Sequence, residues 1–463
     1  MHSLVAVLAA LQLTVATPSA HTSQPSWNDV GPIFAAHCVD CHRVGGIAPF
    51  ALTSAKDAKA HAQAIMAATS AHLMPPWMPG PDSPAYIGQS VRVLTKSELA
   101  TLAAWVHAGA PIGAGGPTPA PPSTAAKPPG SVVTLSVARP YMPHAPKGST
   151  DDYHCFVLDP HLAHAAYVTS AIVRPQNASI VHHVILFDAT GAAAQQARLL
   201  DRASGGRGWT CFGGPVITQG AGAGGAAADA LGSPEWIAAW APGHTTNDLP
   251  HGTGVLLPAH ALVVMQVHYN LLQHKPQLDR SRVSLRLAAA STTTLKPLST
   301  FLDAAPVELP CPAGVSGAQC ERTTALQVEQ RKYGTDAALI PYGLRLLCHK
   351  TASDYPSLTT SCDRPINRPV TIYAVAGHMH LRGIDIRVTL DPGTPNEKLL
   401  LHIPRWDFHW QDAYYLQQPI DAGPGDTVRV SCSFDNSADN RYVLWGEGTT
   451  DEMCLGILQL ANR

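Results

Sequence analysis

The chain has 463 residues, too many for one hydrophobic core and enough for two or three domains. Its 31 Lys and Arg against 33 Asp and Glu, with only 14% of residues charged, leave no basic field to hold nucleic acid, and that partner class is set aside. Gly (37) and Pro (40) are plentiful and helix-period stretches few, which favours short strands and many turns, while 23 histidines prompt a search for metal ligands.

In chain order, Leu4 to Ala16 form an apolar run followed by the small residues Thr17, Pro18, Ser19 and Ala20. This is the pattern of a signal peptide over residues 1–20. The run is too short for a stable anchor, and no later stretch approaches twenty apolar residues without charge. The expectation is an exported protein, periplasmic or otherwise extracytoplasmic, with no stable membrane span.

Residues 27–112 are rich in helix formers and read as a small all-α cytochrome c domain. Cys38-Val39-Asp40-Cys41-His42 is a C-x-x-C-H motif. Two thiols at this spacing on a helix reach both vinyl groups of one haem, and the adjacent His reaches its iron. One covalently bound haem c is therefore expected on Cys38, Cys41 and His42. Helices are predicted over Trp27–His37 and Lys96–Ala108, the second opened by a capping box of Thr95 and Glu98. Two candidates for the opposite iron ligand occur in Met74-Pro75-Pro76-Trp77-Met78. The segment resembles the Met-Pro-Pro-Trp motif of one cytochrome c family, in which the first Met binds iron, so Met74 is preferred to Met78. Thioether ligation raises the potential, which suits a donor of single electrons.

Residues 113–132 form a Pro/Ala/Gly/Ser linker with no buriable face. Beyond it, Val133–Val137, Ser284–Leu287, Ile384–Val388 and Thr427–Ser431 alternate apolar with polar at the period of half-buried strands. A Gly/Ala tract at 219–229 reads as a mobile loop. The expected architecture is multidomain: the all-α cytochrome c domain, then two tandem all-β jelly-roll sandwiches over 133–297 and 298–463.

Three histidine clusters lie in the β-rich part: His182-His183, His268 and His378-Met379-His380. Alternate residues of a strand share a face, so His378 and His380 can meet one ion, and the pair suits Zn, Cu or Fe equally. Adjacent residues point to opposite faces, so His182 and His183 share an ion only if the strand ends, twists or bulges there. The apolar flanks of all three clusters make unpartnered imidazoles costly.

Taken with Asp151-Asp152-Tyr153-His154-Cys155, Gln266-Val267-His268-Tyr269 and Asp451-Glu452-Met453-Cys454, the histidine segments resemble the copper type II, ascorbate-dependent monooxygenases over about residues 140–463. The resemblance implies two copper ions, a small organic substrate, dioxygen, and ascorbate or another small reductant. By it, His182, His183 and His268 bind an electron-transfer copper, while His378, His380 and Met453 bind the catalytic one. A soft thioether favours Cu(I), and three imidazoles tolerate both oxidation states. It also implies disulfides Cys155–Cys211 and Cys432–Cys454. Cys311, Cys320, Cys348 and Cys362 allow three pairings, with the local ones preferred.

Members of the family that act on peptidylglycine hold the substrate carboxylate with an Arg before HxH and with Asn and Tyr after the Met. Here Ala376, Leu455 and Ile457 stand there, which points to a neutral or hydrophobic substrate. Arg382 remains as a receiver for an acid group. The function expected is hydroxylation of a C–H bond, with electrons relayed through the haem from an upstream donor. The alternative is a periplasmic electron-transfer or copper-binding protein without hydroxylase activity.

Overall fold

The computed structural model describes residues 24–44, 46, 48–119, 127–215, 217, 235–241 and 247–463. The signal-peptide reading and the 219–229 tract lie outside the described residues, as do linker residues 120–126.

The protein is predominantly β. A nine-stranded sheet runs in the order Ser131–Ser136, Arg282–Ala289, Ala166–Arg174, Thr253–Leu257, Lys296–Ala304, Leu455–Asn462, Val370–His378, Tyr414–Ala422, with Asn247–Asp248 alongside Ala166–Arg174. A five-stranded sheet covers one end of it: Trp209–Thr210, Asp151–Leu158, Leu262–Asn270, Val181–Ala189, Trp236–Trp240. A four-stranded sheet covers the other end: Thr359–Pro365, Thr427–Phe434, Gly383–Leu390, Lys398–Ile403. Each pair of facing sheets encloses an apolar core, one around Val263, Met265 and Leu285, the other around Val388, Val430 and Leu458.

The expected architecture is corrected in two respects. The two β halves are not separate sandwiches, because one sheet belongs to both. The join is a short parallel pairing of Lys296 and Pro297 with Thr253 and Gly254. Parallel pairing needs a long crossover, and the chain from Leu257 to Lys296 supplies it. Second, the helical region is not a distinct all-α domain. Its helices, among them Trp27–His37 and Lys96–His107, do gather around Phe34, Leu102 and Trp105. Between them, however, residues 77–87 are built into the β part as a strap. Tyr86, 1% exposed, lies in the core of the C-terminal half and donates to the carbonyl of Leu400 at 2.7 Å. The Ile87 amide donates to Tyr415 O at 2.7 Å and the Gly80 amide to His402 O at 2.7 Å. His402 sits between Asp82 and Asp385, with ring nitrogens 2.8 Å from each. Residues 77–87 thus direct backbone bonds and both aromatics, Trp77 and Tyr86, to the C-terminal half.

Four disulfides, Cys155–Cys211, Cys311–Cys320, Cys348–Cys362 and Cys432–Cys454, fasten the β part, and Cys38 and Cys41 are free. Disulfides at this density are a mark of an oxidising compartment. Among the described residues no helix is long and apolar enough to cross a membrane.

Candidate metal centre

His182 and His183 lie on Val181–Ala189, which pairs with Leu262–Asn270. The register slips between Val181 and His183, so that Val181 opposes Tyr269 while His183 opposes His268. His182 is the extra residue of a β-bulge, which is how two adjacent side chains turn toward one point. The Nδ1 atoms of His182 and His183 are 3.2 Å apart, and those of His268 and His183 3.3 Å. The three residues together offer ligand atoms within 4.8 Å of one another.

Asp151, on the neighbouring strand, holds His268. Its Oδ1 is 2.8 Å from His268 Nε2, so that nitrogen carries the proton and Nδ1 keeps its lone pair for the cluster. Burial pushes the Asp151 carboxyl up, but the hydrogen bond from His268 and two from Thr449 outweigh it and hold it down to about 2. Tyr153 stacks on the His268 ring at 4.1 Å and 10°. Phe408, from the C-terminal half, stacks on His182 at 4.2 Å. The Nε2 of His182 is buried without a partner.

His378 ends the strand Val370–His378, and His380 follows two residues on. Their rings are 5.2 Å apart and perpendicular. His378 Nδ1 donates to Gln411 Oε1 at 2.6 Å, and the Gln411 amide is itself oriented by donation to Phe408 O at 2.8 Å. His380 Nδ1 faces Asp451 O at 3.3 Å. Both Nε2 atoms are left with lone pairs. Met453, 5% exposed, is brought to His380 by the Glu452 carboxylate. Glu452 Oε1 accepts from the backbone amides of both His380 and Met453, and Oε2 accepts from that of Arg382. Burial pushes the Glu452 carboxyl up to about 7, and those amides pull the other way. The Cys432–Cys454 bridge fixes the residue after Met453.

The two clusters face each other, with the rings of His183 and His378 6.3 Å apart. One loop serves both: Glu447 O accepts from Tyr153 Oη at 2.7 Å, Thr449 donates to Asp151, and Glu452 holds His380 and Met453. Burial and then neighbouring imidazoles push His182, His183 and His380 well below the ordinary histidine value, and burial takes His378 to about 4. Neutral imidazoles are what a metal ion needs. The donor chemistry fits copper: three imidazoles in one set, and in the other two imidazoles with a methionine, Met453, lining the same cavity as His378.

A cavity of about 180 Å³ opens beside His183, His378 and Met453. Ala376, Leu455 and Ile457 line it, and no Lys or Arg does among the described residues. Arg382 is turned away from it, donating to Asn436 Oδ1 at 2.8 Å and Thr450 O at 2.7 Å and pairing with Asp439. It is thus not available as the acid receiver considered from the sequence. Arg405 is exposed, and Trp406 donates to His380 O at 3.1 Å. Asp151, Phe408, Gln411 and Glu452 had no role assigned from the sequence. Asp151 and Glu452 lie inside segments that carry the family resemblance, whereas Phe408 and Gln411 carry no sequence signal.

In the helical region, Cys38 and Cys41 stand unpaired, and His42 Nδ1 faces the carbonyl of Phe50 at 3.0 Å. That bond assigns the proton to Nδ1 and leaves Nε2 as a ligand atom. Met74 is partly exposed, while Trp77 and Met78 pack on the core of the C-terminal half.

Comparison with known proteins bears on the C-terminal half. Residues 349–459 match the family model described as copper type II ascorbate-dependent monooxygenase, C-terminal domain. DBH-like monooxygenase protein 1 of Gallus gallus is 30% identical over 142 residues, 28% of this chain and 22% of that protein. Its namesake in Mus musculus is 33% identical over 90 residues, 19% of this chain and 14% of that protein. The chain thus spans less than a quarter of the length of these curated relatives. The match contains His378, His380 and Met453, so over residues 349–459 the chain is similar to the C-terminal domain of the copper type II ascorbate-dependent monooxygenases.

Proposed function

We propose that the chain is a copper-dependent monooxygenase that hydroxylates a C–H bond of a small organic substrate with dioxygen. The carrying observation is that two donor sets from different halves face each other across one end of an apolar cavity. His182, His183 and His268 would hold an electron-transfer copper, and His378, His380 and Met453 the catalytic one. Bound copper supplies one-electron chemistry and activation of dioxygen. The residues of the chain do the rest. Asp151 and Gln411 fix which nitrogen of His268 and His378 is left free to bind, Glu452 ties the backbones of Met453 and His380 together, and Ala376, Leu455 and Ile457 make an apolar wall beside His378 and Met453. The relatives, named as DBH-like monooxygenases, support the same reading.

Cys38, Cys41 and His42 fit a covalent haem c, with Met74 rather than Met78 as second iron ligand, since Met78 is engaged elsewhere. The reading divides the chain into a signal peptide (1–20), a haem-bearing segment (27–112), a linker (113–132) and two copper-binding halves (133–297 and 298–463). A haem held by these residues would supply one-electron transfer from an upstream donor, and ascorbate is the other candidate reductant. Haem attachment and the four disulfides both belong to an exported, periplasmic or similar setting.

Metal analysis and oxygen uptake test this. Two coppers and one iron per chain are expected, with uptake that depends on an organic substrate and one atom from labelled dioxygen in the product. Copper binding without substrate-dependent uptake would leave an electron-transfer or copper-binding protein instead.

A further inference from the structure

The cavity has a direction. Two adjacent strands form its floor, and their register pairs His378 with Leu455, Ala376 with Ile457 and Ala374 with Gln459. Alternate residues share a face, so this ladder leads away from the metal end through small and apolar side chains. Four residues at ~3.4 Å each make it about 13 Å long.

The far end is chemically different from the middle. Gln459 also pairs with Thr300 on the next strand, and the Thr300 amide donates to Glu235, the residue before Trp236. Gln459 and Trp236 thus both belong to this end, and both line the cavity. Gln459 Oε1 and Trp236 Nε1 are buried and have no partner. A third such group, the indole N–H of Trp445, lines the cavity too, on a side chain only 3% exposed. Leaving a buried donor or acceptor unmade is costly, and three around one apolar space call for an occupant that supplies the missing bonds. An acceptor and donors lining one space match a hydroxyl or a primary carboxamide, each of which both gives and accepts a hydrogen bond. They do not match a carboxylate, since the cavity is lined by Asp412 and Glu447 and by no Lys or Arg among the described residues, nor an ammonium, which only donates and would leave both indole N–H groups unmet.

We propose that this cavity takes an elongated, uncharged molecule, apolar along its length, whose far end carries a hydroxyl or carboxamide held by Trp236 and Gln459. Its other end then presents a C–H bond to His378 and Met453. Resting on the monooxygenase reading for that last point, the inference names the substrate class and adds Trp236 and Gln459 as its specificity residues. An apolar cavity of ~150 Å³ holds benzene, so the space here suits a narrow chain rather than a fused ring system.

Calorimetric titration of the copper-loaded full chain, without dioxygen or reductant, tests it with three probes of equal length: 1-octanol, octanoate and octylammonium. 1-Octanol is expected to bind at least tenfold more tightly than either ion, a comparison that needs no variant to fold. Gln459→Leu and Trp236→Phe should each weaken 1-octanol roughly tenfold, the worth of one buried hydrogen bond. Equal binding of the three probes, tighter binding of an ion, or unchanged alcohol affinity in both folded variants overturns the proposal. Binding is read without turnover. Octanol selectivity without hydroxylation would defeat the monooxygenase reading alone, whereas hydroxylation without octanol selectivity would defeat this one alone.

Discussion

Asp151 shows how much one buried carboxylate organises. It is 1% exposed, accepts from His268, and ties Thr449 of the other half to the same point. Its charge makes His268 a better donor, since a carboxylate on one ring nitrogen raises the basicity of the other. Asp151→Asn keeps an acceptor of the same shape and removes the charge. Copper affinity at the His182/His183/His268 set should fall by roughly 10–100-fold, read by competition with a chelator. Gln411→Leu should do the same at His378 and leave the first set untouched. If Asp151→Asn bound copper as tightly as the parent, the carboxylate would be only a structural tie. These two residues also differ in legibility. Asp151 stands in one of the segments that carry the family resemblance, so the sequence drew attention to its surroundings. Gln411 lies 33 positions from the histidine it orients, in a loop with no period, and only the folded path of the chain connects them.

At the scale of elements, the strap through residues 77–87 is the feature with the largest consequence. Trp77 meets Tyr414 edge-on at 5.3 Å, and Tyr86 packs against the same ring at 5.3 Å. Tyr414 is three residues from Gln411, so the strap supports the second histidine set from behind. Tyr86→Ala should destabilise the C-terminal half by roughly 3 kcal/mol or more through the cavity it leaves. Tyr86→Phe, which loses only the bond to Leu400 O, should cost about 1 kcal/mol. Denaturant midpoints measure both, and similar small effects for the two would mean that the strap merely rests on the surface. Nothing in the sequence foretold this docking, because residues 77–87 have neither helical nor strand period. Patterns were readable where a strand has one wet face. Thr427–Phe434 buries Val428, Val430, Cys432 and Phe434 and alternates visibly. Leu262–Asn270 is buried at eight successive positions, being central in its sheet and covered on both sides, and there an alternation cannot appear.

The whole molecule is held across its middle by three devices. One is the shared nine-stranded sheet, another the loop from Glu447 to Glu452 that bonds to both histidine sets, and the third the Phe408 ring laid on His182. Two sandwiches joined only by a tether would unfold separately, each with its own midpoint, as multidomain chains commonly do. Here each half supplies groups the other needs. Opening the N-terminal half exposes Thr449 and Phe408, and opening the C-terminal half strips Asp151 and Tyr153 of partners. The β part should therefore melt in one cooperative transition with its disulfides intact, its calorimetric and van't Hoff enthalpies agreeing. Copper added to either set should raise that single midpoint rather than split it, since a ligand stabilises every group that unfolds with its site. Two resolved transitions, only one of them moved by metal in a variant lacking His182, would show that the halves are coupled by proximity alone. The facing of His183 and His378 would then be one arrangement among several, rather than a consequence of the shared sheet.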